Sequence, residues 1–95
     1  MGYRVPKKVD ELSAVVVREL KQKGFYSVGG VAGLHLQVSN ASARSWVLRT
    51  VVGEKRRDIG LGGYPDVGLS AAREKAREAK ELIKQGIDPV EQRKK

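Results

Sequence analysis

An uninterrupted alternation of apolar and polar residues marks the middle of the chain, in the run Gly33-Leu34-His35-Leu36-Gln37-Val38. Successive side chains of a β-strand point to opposite faces, so the apolar residues of this run would share one face while His35 and Gln37 share the other. This period of two predicts a half-buried strand. It is the strongest constraint on the fold, because it decides which side chains can enter a core.

Two further segments have strand character, Ser45 to Val52 and Arg56 to Leu61, with a turn around Gly53 between them. With the first run they predict a three-stranded antiparallel meander. The alternation assigns these residues to the buried face: Trp46, Leu48, Ile59 and Leu61. It assigns these to the opposite face: Val47, Arg49, Val51, Arg56 and Asp58. A slip of one residue in register would exchange the two sets.

Helical spacing precedes the predicted sheet. Asp10 can cap a short helix that Gly24 would end. Its apolar residues recur every four positions: Leu12, Val16 and Leu20. We therefore expect a short N-terminal helix.

The segment Leu69 to Gln85 has the clearest helical pattern of the chain. Its apolar residues recur at intervals of three and four, as a narrow stripe suited to packing on a sheet: Leu69, Ala72, Ala76, Ala79 and Ile83. Gly86 is placed for a left-handed cap, and Pro89 prevents continuation. The predicted fold is α+β, a small three-stranded antiparallel β-sheet packed against a C-terminal α-helix, with the short N-terminal helix.

The predicted elements also set the expected boundaries. Between sheet and helix, the stretch 62–68 is typical of a turn, with Tyr64-Pro65 as a structural corner. We expect a flexible basic lead-in at 1–9, one domain at 10–88 and the start of an interdomain linker at 89–95.

The formal net charge is +8, from 19 Lys and Arg against 11 Asp and Glu. Nucleic acid is the favoured partner, because neutralising phosphates releases condensed counterions and drives association. No apolar run approaches the roughly 20 residues that span a bilayer, and no secretory signal is present, so we expect no membrane partner and a cytoplasmic location. With no cysteine and one histidine, we expect no metal site. We also expect no cofactor and no small-molecule substrate.

Five blocks follow one another in order within residues 9–95: Gly33-Leu34-His35-Leu36-Gln37-Val38, Ser45-Trp46-Val47-Leu48-Arg49, Leu61-Gly62-Gly63-Tyr64-Pro65, Leu69-Ser70-Ala71-Ala72-Arg73 and Gly86-Ile87-Asp88-Pro89. In this combination the chain resembles the N-terminal arm-type DNA-binding domain of prophage and genomic-island integrases of the tyrosine-recombinase class. The resemblance implies a small antiparallel sheet, backed by a helix, that inserts one face into the major groove of duplex arm sites. The chain departs from the family at Gly68, where a helix-capping Ser is common, and at Val47 and Val51, which put apolar groups on the DNA face.

The same resemblance implies a parent tyrosine recombinase that acts in DNA integration, with integrase protomers associating through domains outside this chain. The catalytic machinery of such proteins is a nucleophilic Tyr with Arg and His residues. We assign that nucleophile to none of Tyr3, Tyr26 and Tyr64. We therefore expect this chain to be a non-catalytic domain and not an enzyme.

Arg49 is the first candidate for reading a base, because an Arg on a strand can bridge O6 and N7 of guanine. The alternative is a surface pair with Asp58. His35 and Gln37 would extend from the same face. A Gln there can pair with adenine, but an exposed Gln on a strand commonly has no binding role. Trp46 could stack on bases, although its place in the alternation favours core packing.

Basic residues also surround the second turn. Lys55, Arg56 and Arg57 lie in or beside it, and from there they can reach phosphates. A solvated turn is the alternative. Arg44 and Ser45, at the head of the preceding strand, are expected to contact the DNA backbone similarly.

The charge, the candidate residues and what the resemblance implies together predict sequence-specific binding of double-stranded arm sites by the sheet face. An RNA-binding accessory module is one alternative, weakened because the predicted exposed face shows no stacking aromatic residue beyond His35. A protein-interaction domain is the other, with Val47 and Val51 as an apolar docking patch.

Overall fold

The computed structural model describes residues 12–40 and 42–93, which form an α+β fold. The elements in chain order are α1 (Ala14–Glu19), β1 (Gly24–Ser27), β2 (Leu34–Asn40), β3 (Ala43–Val52), β4 (Lys55–Tyr64), α2 (Leu69–Lys84) and α3 (Pro89–Arg93). The α+β class and the long C-terminal helix are confirmed. None of the described helices is long and apolar enough to cross a membrane.

The sheet has four antiparallel strands in the order β1-β2-β3-β4, so the prediction of three strands was wrong by one. The missing strand is β1, which pairs with β2 from Gly24 opposite Val38 to Ser27 opposite His35. Four residues are too few to display a clear alternation, and the sequence pattern places the end of the first helix at Gly24, which is the first residue of β1. The structure of this edge strand depends on its pairing with β2 more than on the pattern of its own residues.

The inner face of the sheet packs against the helices and holds the core. Trp46 and Leu48 of β3 and Ile59 of β4 are fully buried, and Leu61 is 5% exposed, as the alternation predicted. The register places Leu36 opposite Trp46 across the β2–β3 pair. The small residues of α2 complete the core with Leu69: Ala72, Ala76 and Ala79. Each large side chain buried in this way contributes about 1.5–3 kcal/mol relative to an exposed one.

The first helix is shorter than predicted and presents a different residue to the core. Its N-cap is Ser13, whose Oγ accepts a hydrogen bond from the Val16 amide at 3.3 Å. The predicted cap, Asp10, lies outside the described residues. Because the helix starts at Ala14, Leu12 precedes it and is out of helical phase with Val16. Val17 is therefore the fully buried residue of α1, while Val16 is 42% exposed.

The last strand extends through the region predicted as a turn. β4 continues to Tyr64, and a register shift between Trp46 and Val47 moves the pairing from Gly60 to Gly62. This bulge leaves Leu61 without a direct partner and bends the strand. Gly62, at φ 121°, adopts a conformation that a side chain would oppose.

The predicted cap of the long helix is confirmed. At the end of α2, the Gly86 amide donates to the Ile83 carbonyl at 3.0 Å and the Ile87 amide to the Leu82 carbonyl at 2.9 Å, with Gly86 at φ 84°. This is the Schellman arrangement. A short helix, α3, then starts at Pro89 in the stretch predicted as the start of a linker. Pro89 suits the first position of this helix, where its missing N–H would have no intrahelical partner.

Candidate nucleic-acid interface

The sheet surface that faces away from α2 carries most of the candidate side chains. We call it the outer face, made of Phe25, His35, Gln37, Ser45, Val47, Arg49, Val51, Arg56 and Asp58. Cross-strand pairing places these residues on one side, since Phe25 lies opposite Gln37 and Arg49 opposite Asp58. The first helix does not cover this surface, because Val17 anchors α1 in the core on the inner side.

Arg49 lies in the central part of the outer face and forms the pair with Asp58. Its Nε donates to Asp58 Oδ1 at 3.0 Å and its Nη2 to Oδ2 at 3.3 Å. Both side chains are 54% exposed. The hydrogen bond, followed by charge attraction, raises the pKa of Arg49. The same hydrogen bond is the main cause that lowers the pKa of Asp58, with partial burial opposing it.

An aromatic cluster lies beside this pair. The guanidinium carbon of Arg49 is 4.5 Å from the centroid of the Phe25 ring. The Phe25 ring also stacks on His35, with centroids 4.3 Å apart and planes 17° from parallel. Phe25 is 37% exposed, so part of this aromatic surface remains open to solvent.

Gly33 allows the strands to approach closely behind Arg49. The Arg49 amide donates to the Gly33 carbonyl at 2.8 Å, and His35 Nδ1 lies 2.8 Å from the same oxygen. A Cβ at Gly33, whose φ is 89°, would overlap the Arg49 carbonyl oxygen. This glycine therefore fixes the backbone from which Arg49 and His35 project.

The three basic residues of the β3–β4 turn have separate environments. Arg56 lies opposite Val51 on the outer face and is exposed. Arg57 points the other way and forms an ion pair with Asp88 at 3.2 Å. Lys55 is exposed at the tip of the hairpin, opposite Val52. Only Arg56 of these three therefore shares the surface of Arg49.

Arg44 lies on the inner side of the sheet. Its Nη1 donates to the carbonyls of Arg18 at 3.2 Å and Leu20 at 3.5 Å, where α1 ends. Its guanidinium carbon is 4.6 Å from the centroid of the Tyr64 ring. Tyr64 in turn meets Trp46 edge-on, with centroids 6.0 Å apart. Arg44 therefore links α1 to the corner after β4 and does not lie on the outer face.

The remaining predicted residues complete the outer face. Gln37 is exposed and lies opposite the half-buried Ser45. The two valines differ, since Val51 is 52% exposed and Val47 only 8%. They do not form the continuous apolar patch expected of a protein-docking surface.

Two side chains of this surface were missed or undervalued in the sequence. Phe25 was missed because β1 was not predicted; its signal is the short succession Phe25-Tyr26-Ser27-Val28, in which Tyr26 and Val28 point inward. For Asp58, the sequence predicts only the alternative of a surface pair with Arg49. In the described part of the chain, no three His, Asp or Glu side chains cluster in a way that could hold a metal ion.

The sequence matches known proteins over most of its length. The family model of the Arm DNA-binding domain matches residues 7–95. The integrase of Shigella phage Sf6 is 36% identical over 74 residues, which are 78% of this chain and 19% of that protein. The integrase of Enterobacteria phage P4 is 37% identical over 82 residues, which are 83% of this chain and 19% of that protein.

A bacterial relative shows the same extent of similarity. Prophage integrase IntS of Escherichia coli (strain K12) is 36% identical over 74 residues, again 78% of this chain and 19% of the relative. The chain thus spans about a fifth of the length of these curated relatives. With the family model covering nearly all of its residues, the chain belongs to the arm DNA-binding domain family of phage and prophage integrases.

Proposed function

We propose that this chain binds double-stranded DNA in a sequence-specific manner through the outer face, as the arm-binding part of a phage-type integrase in site-specific recombination. The observation that carries the proposal is the separation of apolar and polar side chains onto opposite faces of the sheet. Its inner face is filled by core residues, whereas its outer face presents Arg49, Arg56 and Gln37 to solvent.

The dimensions of the sheet suit a major groove. β3 and β4 are the longest strands, with 10 residues each, and they form a hairpin that projects Arg49 and Arg56 from one side. A two-stranded ribbon fits the roughly 12 Å width of the groove in B-DNA. The hairpin would enter the groove, with β2 bringing Gln37 and His35 alongside.

We assign different tasks to the residues of this surface. Arg49 reads a base edge, and Gln37 and His35 are the next candidates. Arg56 and Ser45 contact phosphates or sugars, with Lys55 at the edge of the contact where the hairpin ends. Arg44 and Arg57 stabilise the fold through their contacts with the Leu20 carbonyl and with Asp88. The chain itself would contribute DNA recognition and no catalytic group.

RNA binding is a second candidate, and one observation favours it. Phe25 places an exposed ring beside His35 on the outer face, which the sequence had not predicted. Stacking on such rings is a common way to hold single-stranded bases. The partial cover of this ring by the Arg49 guanidinium leaves less of it for stacking, so duplex DNA remains the better-supported ligand.

Selection from a pool of randomised duplexes, followed by salt titration, tests the proposal. We expect an enriched sequence, and affinity that falls linearly with the logarithm of salt concentration. Replacing both outer-face arginines, Arg49→Ala with Arg56→Ala, should abolish the preference. The control, Lys75→Ala with Lys84→Ala, removes the same charge from α2 and should keep it. Absence of an enriched duplex, or stronger competition by single-stranded RNA, would refute the proposal.

A further inference from the structure

Arg49 makes two hydrogen bonds to Asp58, one from Nε and one from Nη2, and these fix the orientation of its guanidinium more closely than a single contact would. We infer that Asp58 and Phe25 are positioning residues, which hold Arg49 so that the free end of its guanidinium reads one guanine in the major groove. The inference rests on the proposed function and names the base that this part of the outer face would recognise.

The hydrogen bonds of Arg49 determine which donors are left. A guanidinium has five N–H groups, and Asp58 engages one on Nε and one on Nη2, both on the same edge. The two N–H groups at the far end of the guanidinium, one on Nη1 and one on Nη2, are not engaged by Asp58 and are parallel to each other. Two parallel donors are what O6 and N7 of guanine accept.

Phe25 restricts the guanidinium of Arg49 on a second side. Its ring covers one surface of the guanidinium, with the ring centroid 4.5 Å from the guanidinium carbon, and the ring is itself stacked on His35. An arginine held along one edge and over one surface loses less side-chain entropy on binding than a free one. The cluster therefore prepares Arg49 for one geometry of contact.

The negative charge of Asp58 supports recognition of a base over attraction to phosphate. A carboxylate on a DNA-binding face repels every duplex equally, whatever its sequence. It can raise specificity only if it improves the contact with the correct base more than contacts with others, since specificity is a difference of affinities. Orienting Arg49 has that effect.

Asp58→Asn tests this role, measured with an enriched duplex and a scrambled duplex of the same composition. We expect the ratio of the two affinities to fall about tenfold, the loss typical of one bidentate base contact, while affinity for the scrambled duplex stays equal or rises. Glu54→Gln is the matched control, because it removes a carboxylate from the exposed hairpin turn. It should leave the ratio unchanged. An unchanged ratio in Asp58→Asn, or an equal fall in both variants, would overturn the inference.

Substitutions of Phe25 provide the second test. Phe25→Leu keeps an apolar side chain but removes the ring, and it should lower the same ratio. Phe25→Tyr keeps the ring and should leave the ratio of the two affinities as it is in the unmodified protein. If Phe25→Leu discriminates as well as the unmodified protein, Phe25 has no positioning role.

A measurement on the free protein separates this inference from the proposed function. In NMR spectra, the Nε–H group of Arg49 should be more rigid and exchange more slowly than that of Arg56, and Asp58→Asn should remove the difference. If Arg49 is as mobile as Arg56, the inference fails even where binding is specific. If Arg49 is rigid but the protein prefers no duplex, the proposed function fails and the guanine assignment fails with it.

Discussion

Arg44 and Arg49 lie on the same strand, each over an aromatic ring, and they point to opposite faces of the sheet. Arg44 covers Tyr64 and donates to backbone carbonyls at the end of α1. Arg49 covers Phe25 and donates to the carboxylate of an exposed aspartate. The local contacts are alike, but one guanidinium is half-buried inside the domain and the other faces solvent.

This contrast shows that charge alone does not identify a binding residue. A net charge of +8 favours a polyanionic partner, yet several cations of the described residues have internal tasks. Arg73, for example, donates to the carbonyls of Leu12 and Val28 and attaches the segments before α1 and after β1 to α2. Under the proposed function, the face from which a sheet cation projects separates structural roles from DNA contact, so substitutions on the two faces should give separable effects.

The largest expected effect is on the inner face. Trp46→Ala removes a fully buried ring whose Nε1 donates to the Val67 carbonyl at 2.6 Å, and it should lower the free energy of unfolding by about 3–5 kcal/mol. Phe25→Ala on the outer face should cost about 1 kcal/mol, because its ring is already partly exposed. Urea unfolding of both variants measures the difference. Equal losses would contradict the assignment of the two faces.

The two arginines of β3 should differ in kind. Arg49→Ala should weaken binding of the enriched duplex by about 1–3 kcal/mol and relax one base position, with little change in stability. Arg44→Ala should lower the free energy of unfolding by about 1 kcal/mol and leave the affinity of the folded protein unchanged. Fluorescence anisotropy and denaturation on the same samples would compare them. Loss of affinity in folded Arg44→Ala would contradict the exclusion of Arg44 from the interface.

A smaller effect is expected at the turn. Arg56→Ala should weaken all duplexes alike and reduce the slope of affinity against salt concentration by about one unit, as for the loss of one phosphate contact. Arg57→Ala removes the ion pair with Asp88 and should leave that slope unchanged. Binding isotherms at several salt concentrations give both slopes. A reduced slope for Arg57→Ala alone would reverse the assignment of the two residues.

The smallest effect concerns pH. Arg49 lowers the pKa of Asp58 below its ordinary value of 3.8, so the stability that this pair contributes is present above that value. It should be lost as the pH falls through the lowered pKa of the folded state. An NMR titration of the Asp58 carboxyl should therefore have a midpoint below 3.8, and Arg49→Ala should raise it. A midpoint that Arg49→Ala leaves unchanged would contradict the pairing in solution.

The inner face was predictable because its residues repeat. Alternation in β2, β3 and β4 placed Trp46, Leu48 and Ile59 in the core, and the helical stripe of α2 followed from its spacing. These patterns arise from burial, which acts on every second or every third and fourth residue. The edge strand β1 lacked such a pattern, because its four residues obtain their structure from pairing with β2.

The outer face was predictable only in part. Alternation gave the direction of Arg49 and Arg56 correctly, but it could not give the partners of a cation. Arg57 finds Asp88 at the junction of α2 and α3, and Arg44 finds carbonyls at the end of α1. Both contacts join residues distant in sequence, and neither α3 nor the end of α1 was predicted correctly. Side-chain partners of this kind depend on tertiary packing.

Mapping the DNA contact by NMR tests the central claim most directly. On titration with the enriched duplex, the largest changes should occur at Gln37, Arg49 and the methyl groups of Val51. The indole N–H of Trp46, hydrogen-bonded to Val67 on the inner side, should change little. Changes centred on the exposed side of α2, with Arg49 unaffected, would contradict binding through the outer face.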